Sequence, residues 1–81
     1  MDDRKAVLTF RDYGNVRVCL KNLMDSRGMS RNELVRAAKT RFEVVDKWHQ
    51  GNLEKIDADI LARFCYILHG QIEEIFQYEE P

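Results

Sequence analysis

The feature that most constrains this chain is a helix-start signature that occurs twice, ten residues apart, as Ser30-Arg31-Asn32-Glu33 and Thr40-Arg41-Phe42-Glu43. In the first, the Ser30 hydroxyl can accept from the amide of Glu33 while the Glu33 carboxylate accepts from the amide of Ser30. Met29 and Leu34 stand where a hydrophobic staple belongs. Two starts this close leave room for one short helix, Ser30 to about Ala38, and almost no loop. A second helix is then expected from Thr40 to about Gln50, with Gly51 as its stop. Two short helices cannot run on in one line through a fresh cap, so the chain must turn sharply between them.

The flanking segments read as further helices. Val16, Leu20, Leu23 and Met24 fall on one face of a 3.6-residue period, so a helix is expected to begin anywhere from Asn15 to Leu20. Gly28 would end it, because glycine takes left-handed dihedrals most cheaply. Asp57 is a plausible N-cap for a fourth helix with the apolar stripe Ile60, Leu61, Phe64, Cys65 and Leu68, closed by Gly70. A short fifth, Gln71 to about Phe76, offers Ile72, Ile75 and Phe76 at helical spacing. The first 14 residues are the least readable. Ala6-Val7-Leu8-Thr9-Phe10 has strand character and Asp12-Tyr13-Gly14-Asn15 is turn-like, which leaves open a hairpin with Val16-Arg17-Val18 or a disordered tail.

Composition narrows the function classes. A chain of 81 residues holds one domain and one core. No apolar run approaches the roughly 18 residues of a membrane span, and the start does not have the form of a secretory signal. A cytoplasmic location is the default expectation. Cys19 and Cys65 both sit in apolar patterns, where buried thiols behave as small hydrophobes. Cys65 and His69 are four apart on one helix, but no cluster of soft ligands surrounds them, so packing and not a metal is expected. No phosphate-binding glycine loop and no nucleophile with a base and an orienting group can be assembled. An enzyme is not expected, nor a cofactor. The net charge of −1 is unevenly spread. It is +1 over residues 1–26, +3 over 27–55 and −5 over 56–81, so the middle third is the basic one.

Taken in order, Leu20-Lys21-Asn22-Leu23-Met24, Arg27-Gly28-Met29-Ser30, Asn32-Glu33-Leu34, Val45 to Gly51, Leu61 to Leu68 and Ile72 to Phe76 carry a resemblance. From Val18 to Tyr78 the chain resembles the lambda-repressor/Cro-like (xenobiotic-response-element type) helix-turn-helix regulators, in particular a compact branch in which a strand-like Val-Arg-Val leads into the first helix. The resemblance implies an all-α fold, a compact four- to five-helix bundle containing a helix-turn-helix, with room for a short N-terminal strand or hairpin. Residues 1–14 would be an extension and 15–81 the domain. It further implies a DNA-binding transcriptional regulator, a repressor that binds as a dimer. Two positions depart from the family pattern: Val35 stands where a small residue is usual, and Lys39 where the turn usually has glycine. A lysine in a left-handed conformation costs about 1 kcal/mol relative to glycine.

With Val45 and Trp48 buried, a 100° step places Glu43, Lys47 and Gln50 on the opposite face of the Thr40–Gln50 helix, with Asp46 at its edge. The resemblance adds Arg41 and Phe42, because that end of the helix enters the major groove of double-stranded DNA. There Lys47 can donate to guanine and Phe42 can press on a thymine methyl. Glu43 can accept from cytosine, but capping competes for the same carboxylate and is its expected role. Asp46 is expected to face solvent or to pair with a neighbouring basic group. The resemblance assigns Arg31, Asn52 and Lys55 to the phosphate backbone. The full candidate set is Arg31, Thr40, Arg41, Phe42, Glu43, Lys47, Gln50, Asn52 and Lys55; spacing alone would favour a solvated charged surface, and the resemblance turns the reading to DNA contact. Trp48 is expected in the core. Ile72, Ile75, Phe76 and Tyr78 offer a homodimer surface, or simply close the core. The rival function is a protein-interaction module that keeps the fold without binding DNA, for which Glu43 and Asp46 on the reading helix speak.

Overall fold

The computed structural model describes residues 12–81. Along these the chain forms β1 (Asn15–Val18), α1 (Leu20–Ser26), α2 (Arg31–Ala38), α3 (Phe42–Gln50), α4 (Ala58–Leu68), α5 (Ile72–Ile75) and β2 (Phe76–Glu79). The expected helical bundle is present, with a two-stranded sheet added. Most of the extension expected over residues 1–14, including the strand-like run from Ala6 to Phe10, lies outside the described residues.

Local chemistry starts the helices where the side chains allow it. The capping box at α2 forms: the Glu33 amide donates to Ser30 Oγ at 3.1 Å and the Ser30 amide to Glu33 Oε1 at 2.9 Å. At α4, Asp57 Oδ1 accepts from the amides of Asp59 and Ile60 at 2.9 and 3.2 Å. Each helix then buries one stripe. Leu20, Leu34, Val45, Phe64 and Ile75 have no exposed surface, and Trp48 keeps 4%. Fully burying such aliphatic or aromatic side chains contributes about 1.5–3 kcal/mol each. Trp48 meets Phe64 edge-on, ring centroids 5.1 Å apart at 85°, and Phe76 at 5.5 Å. This aromatic trio joins α3, α4 and β2.

Four expectations are narrowed or corrected. The first helix begins at Leu20, the far end of the expected range, and Val16, counted in its apolar stripe, lies instead in β1 with 53% of its surface exposed. Helical spacing from Leu20 was shared with a strand, and a partner 62 residues away at Tyr78 decided between them. β1 pairs antiparallel with β2, Asn15 opposite Glu79 and Val18 opposite Phe76. Second, the fifth helix stops at Ile75, and Phe76 turns to extended dihedrals, φ −120° and ψ 132°. Third, α4 is closed by His69, which takes the left-handed turn at φ 51°, with Gly70 following it. Fourth, of the four residues offered as a dimer surface, Ile75 is fully buried and Phe76 is half-buried against Trp48. Those two close the core of their own chain; Ile72 and Tyr78 stay exposed.

The corner between α2 and α3 falls where the two capping signatures placed it. Lys39 adopts φ 53° and ψ 48°. The Lys39 amide donates to the carbonyl of Arg36 at 3.3 Å and the Thr40 amide to that of Val35 at 3.2 Å, the paired bonds of a Schellman end. Arg63 on α4 adds Nη1 to the Ala38 carbonyl at 2.9 Å. The corner is thereby fixed to the bundle, and with it the direction of α3. None of the helices among the described residues is long and apolar enough to cross a membrane.

Candidate functional site

The corner at Lys39 decides which side of α3 meets solvent. Val45 and Trp48 point into the core, while Phe42, Glu43, Lys47 and Gln50 are exposed on the far side and Asp46 is half-buried at the edge. This is the division that the 100° step predicts.

The start of α3 differs from the expectation. Thr40 does not cap it; Arg41 occupies the N-cap, φ −104° and ψ 155°, and no side chain accepts from the first-turn amides. The reason lies in the corner: the Thr40 amide is spent on Val35, so Thr40 belongs to the end of α2 and the next helix begins one turn-step later. Glu43 consequently has no capping role. Its carboxylate is exposed and stands 3.9 Å from Arg41 Nε, too far for a hydrogen bond. An uncapped helix start with a basic residue beside it favours anions, and the exposed Glu43 in the same turn opposes them.

The candidate residues fall into two adjoining groups. Thr40, Arg41, Lys47 and Lys55, with Asp57, line one shallow depression whose apolar residues are Val44, Trp48, Leu53 and Ile60. Lys47, Asn52 and Lys55 border a neighbouring one together with Glu54. Lys47 and Lys55 have no carboxylate within ion-pair distance among the described residues. Neither charge is held in an ion pair, although Glu54 and Asp57 border the same depressions.

The second group is a chain of polar contacts across the corner. Arg31 Nη1 donates to Asp46 Oδ1 at 2.7 Å, Gln50 Nε2 to Asp46 Oδ2 at 2.8 Å, and Asn52 Nδ2 to Gln50 Oε1 at 3.3 Å. The Arg31 guanidinium also lies over the Phe42 ring, 5.5 Å from its centroid. Asp46 is thus paired with a basic group, as expected, but its partner is one of the proposed phosphate contacts. The side chains of Arg31 and Asp46 are 45% and 27% exposed, so the pair adds under about 1 kcal/mol to stability. Its effect is on the charge of the face. Asp46 was legible as an edge residue of α3 and its spacing from Gln50 is helical; the bond to Arg31 depends on how two helices cross, which periodicity does not encode.

Elsewhere the titratable groups are less involved. Burial pushes the Cys65 thiol up, with Glu73 and Glu74 adding to the shift. No group of three or more metal-ligating side chains gathers among the described residues.

The model of the Cro/C1-type HTH DNA-binding domain matches residues 19–81 of the chain. No curated protein sequence matches. Among solved structures the chain is similar to the transcriptional regulator VanUg in its crystal form II, with a TM-score of 0.64 and 20% identity over 93% of this chain and 100% of that one. At that identity the likeness is one of fold.

Proposed function

Because the chain belongs to the Cro/C1-type helix-turn-helix DNA-binding domains, we propose that it regulates transcription by sequence-specific binding of double-stranded DNA, as a repressor, with α3 in the major groove. The observation that carries this reading is the outward face of α3. Val45 and Trp48 anchor the helix while Phe42, Glu43, Lys47 and Gln50 are left to solvent beside Lys55. Lys47 would donate to guanine, Phe42 would meet a thymine methyl, and Glu43, freed from capping, would accept from cytosine. Arg31, Asn52 and Lys55 would hold the backbone, which fixes position without reading sequence, while Thr40 and Arg41 stand at the end of α3 that enters the groove. A homodimer on a palindromic site would meet through the exposed Ile72 and Tyr78.

One observation favours the second reading, an interaction module without DNA: two carboxylates, Glu43 and Asp46, stand on the proposed reading helix, and one neutralises Arg31. Salt dependence separates the two. A DNA binder loses affinity for duplex of any sequence between about 50 and 200 mM salt, with a log-log slope near −0.9 per phosphate contact. Lys47→Ala should then lose about 1–3 kcal/mol on a selected site and relax choice at one base pair, while Lys55→Ala weakens all sequences alike. Absence of any salt-sensitive duplex binding at low ionic strength would hand the face to a protein partner.

A further inference from the structure

Asp46 lies at the edge of the face assigned to DNA, between Arg31 and Gln50, a position where a carboxylate repels the ligand. It is held there from both sides. One oxygen accepts from Arg31 and the other from Gln50, and Gln50 is itself fixed by Asn52. Three of its neighbours in this chain of bonds are candidate contact residues, and a fourth, Phe42, lies under the same guanidinium. Such a carboxylate is not an idle surface acid.

We propose that Asp46 is a charge mask on Arg31, which weakens attraction for DNA phosphodiesters of every sequence and so leaves discrimination to the base contacts. The inference rests on the reading of α3 as a DNA-reading helix. Arg31 has five N–H donors, and only Nη1 is engaged by a carboxylate. The remaining donors can reach a phosphate without leaving Asp46. The pair as a whole carries no net charge, however, so a phosphate that meets it displaces little of its own counterion atmosphere. Lys47 and Lys55 have no such partner. The sequence-independent part of binding is thus carried by fewer cations than the face contains.

The test is a double-mutant cycle read by binding to a labelled duplex of random sequence across a salt series. Asp46→Asn keeps the shape and an acceptor oxygen but removes the charge. One more released counterion multiplies affinity by about 5–10 at about 0.1 M salt and steepens the log-log slope by up to about 0.9. That gain is expected in the parent. In Arg31→Ala it should shrink to that of Glu54→Gln, which removes an acid beside the same face that is not bonded to a guanidinium. Equal gains for Asp46→Asn with and without Arg31, or a gain no larger than that of Glu54→Gln, would overturn the mask. A loss of affinity would also overturn it, showing that Asp46 instead holds Arg31 in place for phosphate. If the parent protein and all variants ignore duplex DNA, the DNA reading fails, and the mask with it. Thermal melting of each variant separates binding changes from unfolding.

Discussion

Helices α1 and α3 end on glycine, whereas α2 and α4 end on residues that carry a Cβ. All four ends have the same bond pattern. The amide of the left-handed residue donates to a carbonyl three residues back and the next amide to one five residues back: Gly28 with Met29, Lys39 with Thr40, Gly51 with Asn52, and His69 with Gly70. Glycine reaches these dihedrals freely, while a side-chain-bearing residue loses about 1–2 kcal/mol to its own Cβ. The two ends without glycine share something that the glycine ends lack. Each receives an arginine from elsewhere in the chain. Arg63 donates to Ala38 at the end of α2, and Arg27 donates to Leu68 at 2.7 Å and His69 at 3.3 Å at the end of α4. A charged donor on otherwise unpaired terminal carbonyls is worth about as much as the left-handed turn costs. The difference teaches that a tight corner can be bought locally by residue choice or held from a distance by a long side chain, and only the second ties helices together.

The arginine-held corners should break hardest. Arg27→Leu removes both bonds at the end of α4 and is expected to lower stability by about 2 kcal/mol, read from the urea midpoint. Arg63→Ala should cost about 1.5 kcal/mol in the same assay, since it loses the Ala38 bond and a partly exposed ion pair with Asp59. Gly51→Ala tests the other class. The new Cβ would find Val18 at an ordinary 3.7 Å, so only the dihedral strain at φ 80° is felt, about 1 kcal/mol. Lys39→Gly should reverse that sign, with a gain of about 0.5 kcal/mol once glycine's greater freedom in the unfolded chain is set against the relieved strain. A loss on Lys39→Gly would mean that the lysine is not strained.

The start of α2 supplies the smallest effect. The Ser30 amide first, then its hydroxyl, hold the Glu33 carboxyl below the usual carboxylate range. A folded-state pKa below the unfolded one contributes stability above the unfolded value, and that contribution is lost as pH falls through the folded value. The contribution should therefore disappear on the acid side of the ordinary carboxyl range. Ser30→Ala should move the Glu33 titration, followed by NMR, back toward that range.

What the sequence disclosed follows the same division between near and far. The Ser30–Glu33 box, the Asp57 cap, the stripe of α4 and the burial of Val45 and Trp48 are set within a few residues, and spacing reveals them. The exposed set on α3 follows from the same period. The Thr40 box misled because two motifs competed for one amide, and the closing bond to Val35 took it. Val16 misled because its place in a helical period says nothing about Tyr78. The Arg31–Asp46 bond and the arginines that hold the corners depend on where helices cross, so they were invisible until the chain was folded.

The pairing of β1 with β2 has a consequence for how the molecule is made. Asn15 and Glu79 are cross-strand partners, and the Cys19 amide donates to the Ile75 carbonyl at 2.6 Å. Helices α1, α2 and α3 can gather earlier, because their contacts with one another span fewer residues. The sheet cannot, since its second strand is translated long after its first, and loop closure over such a span slows assembly. Until those residues emerge, Trp48 lacks Phe76 and the core lacks Ile75, so a nascent chain stalled short of them would display an open hydrophobic flank to chaperones.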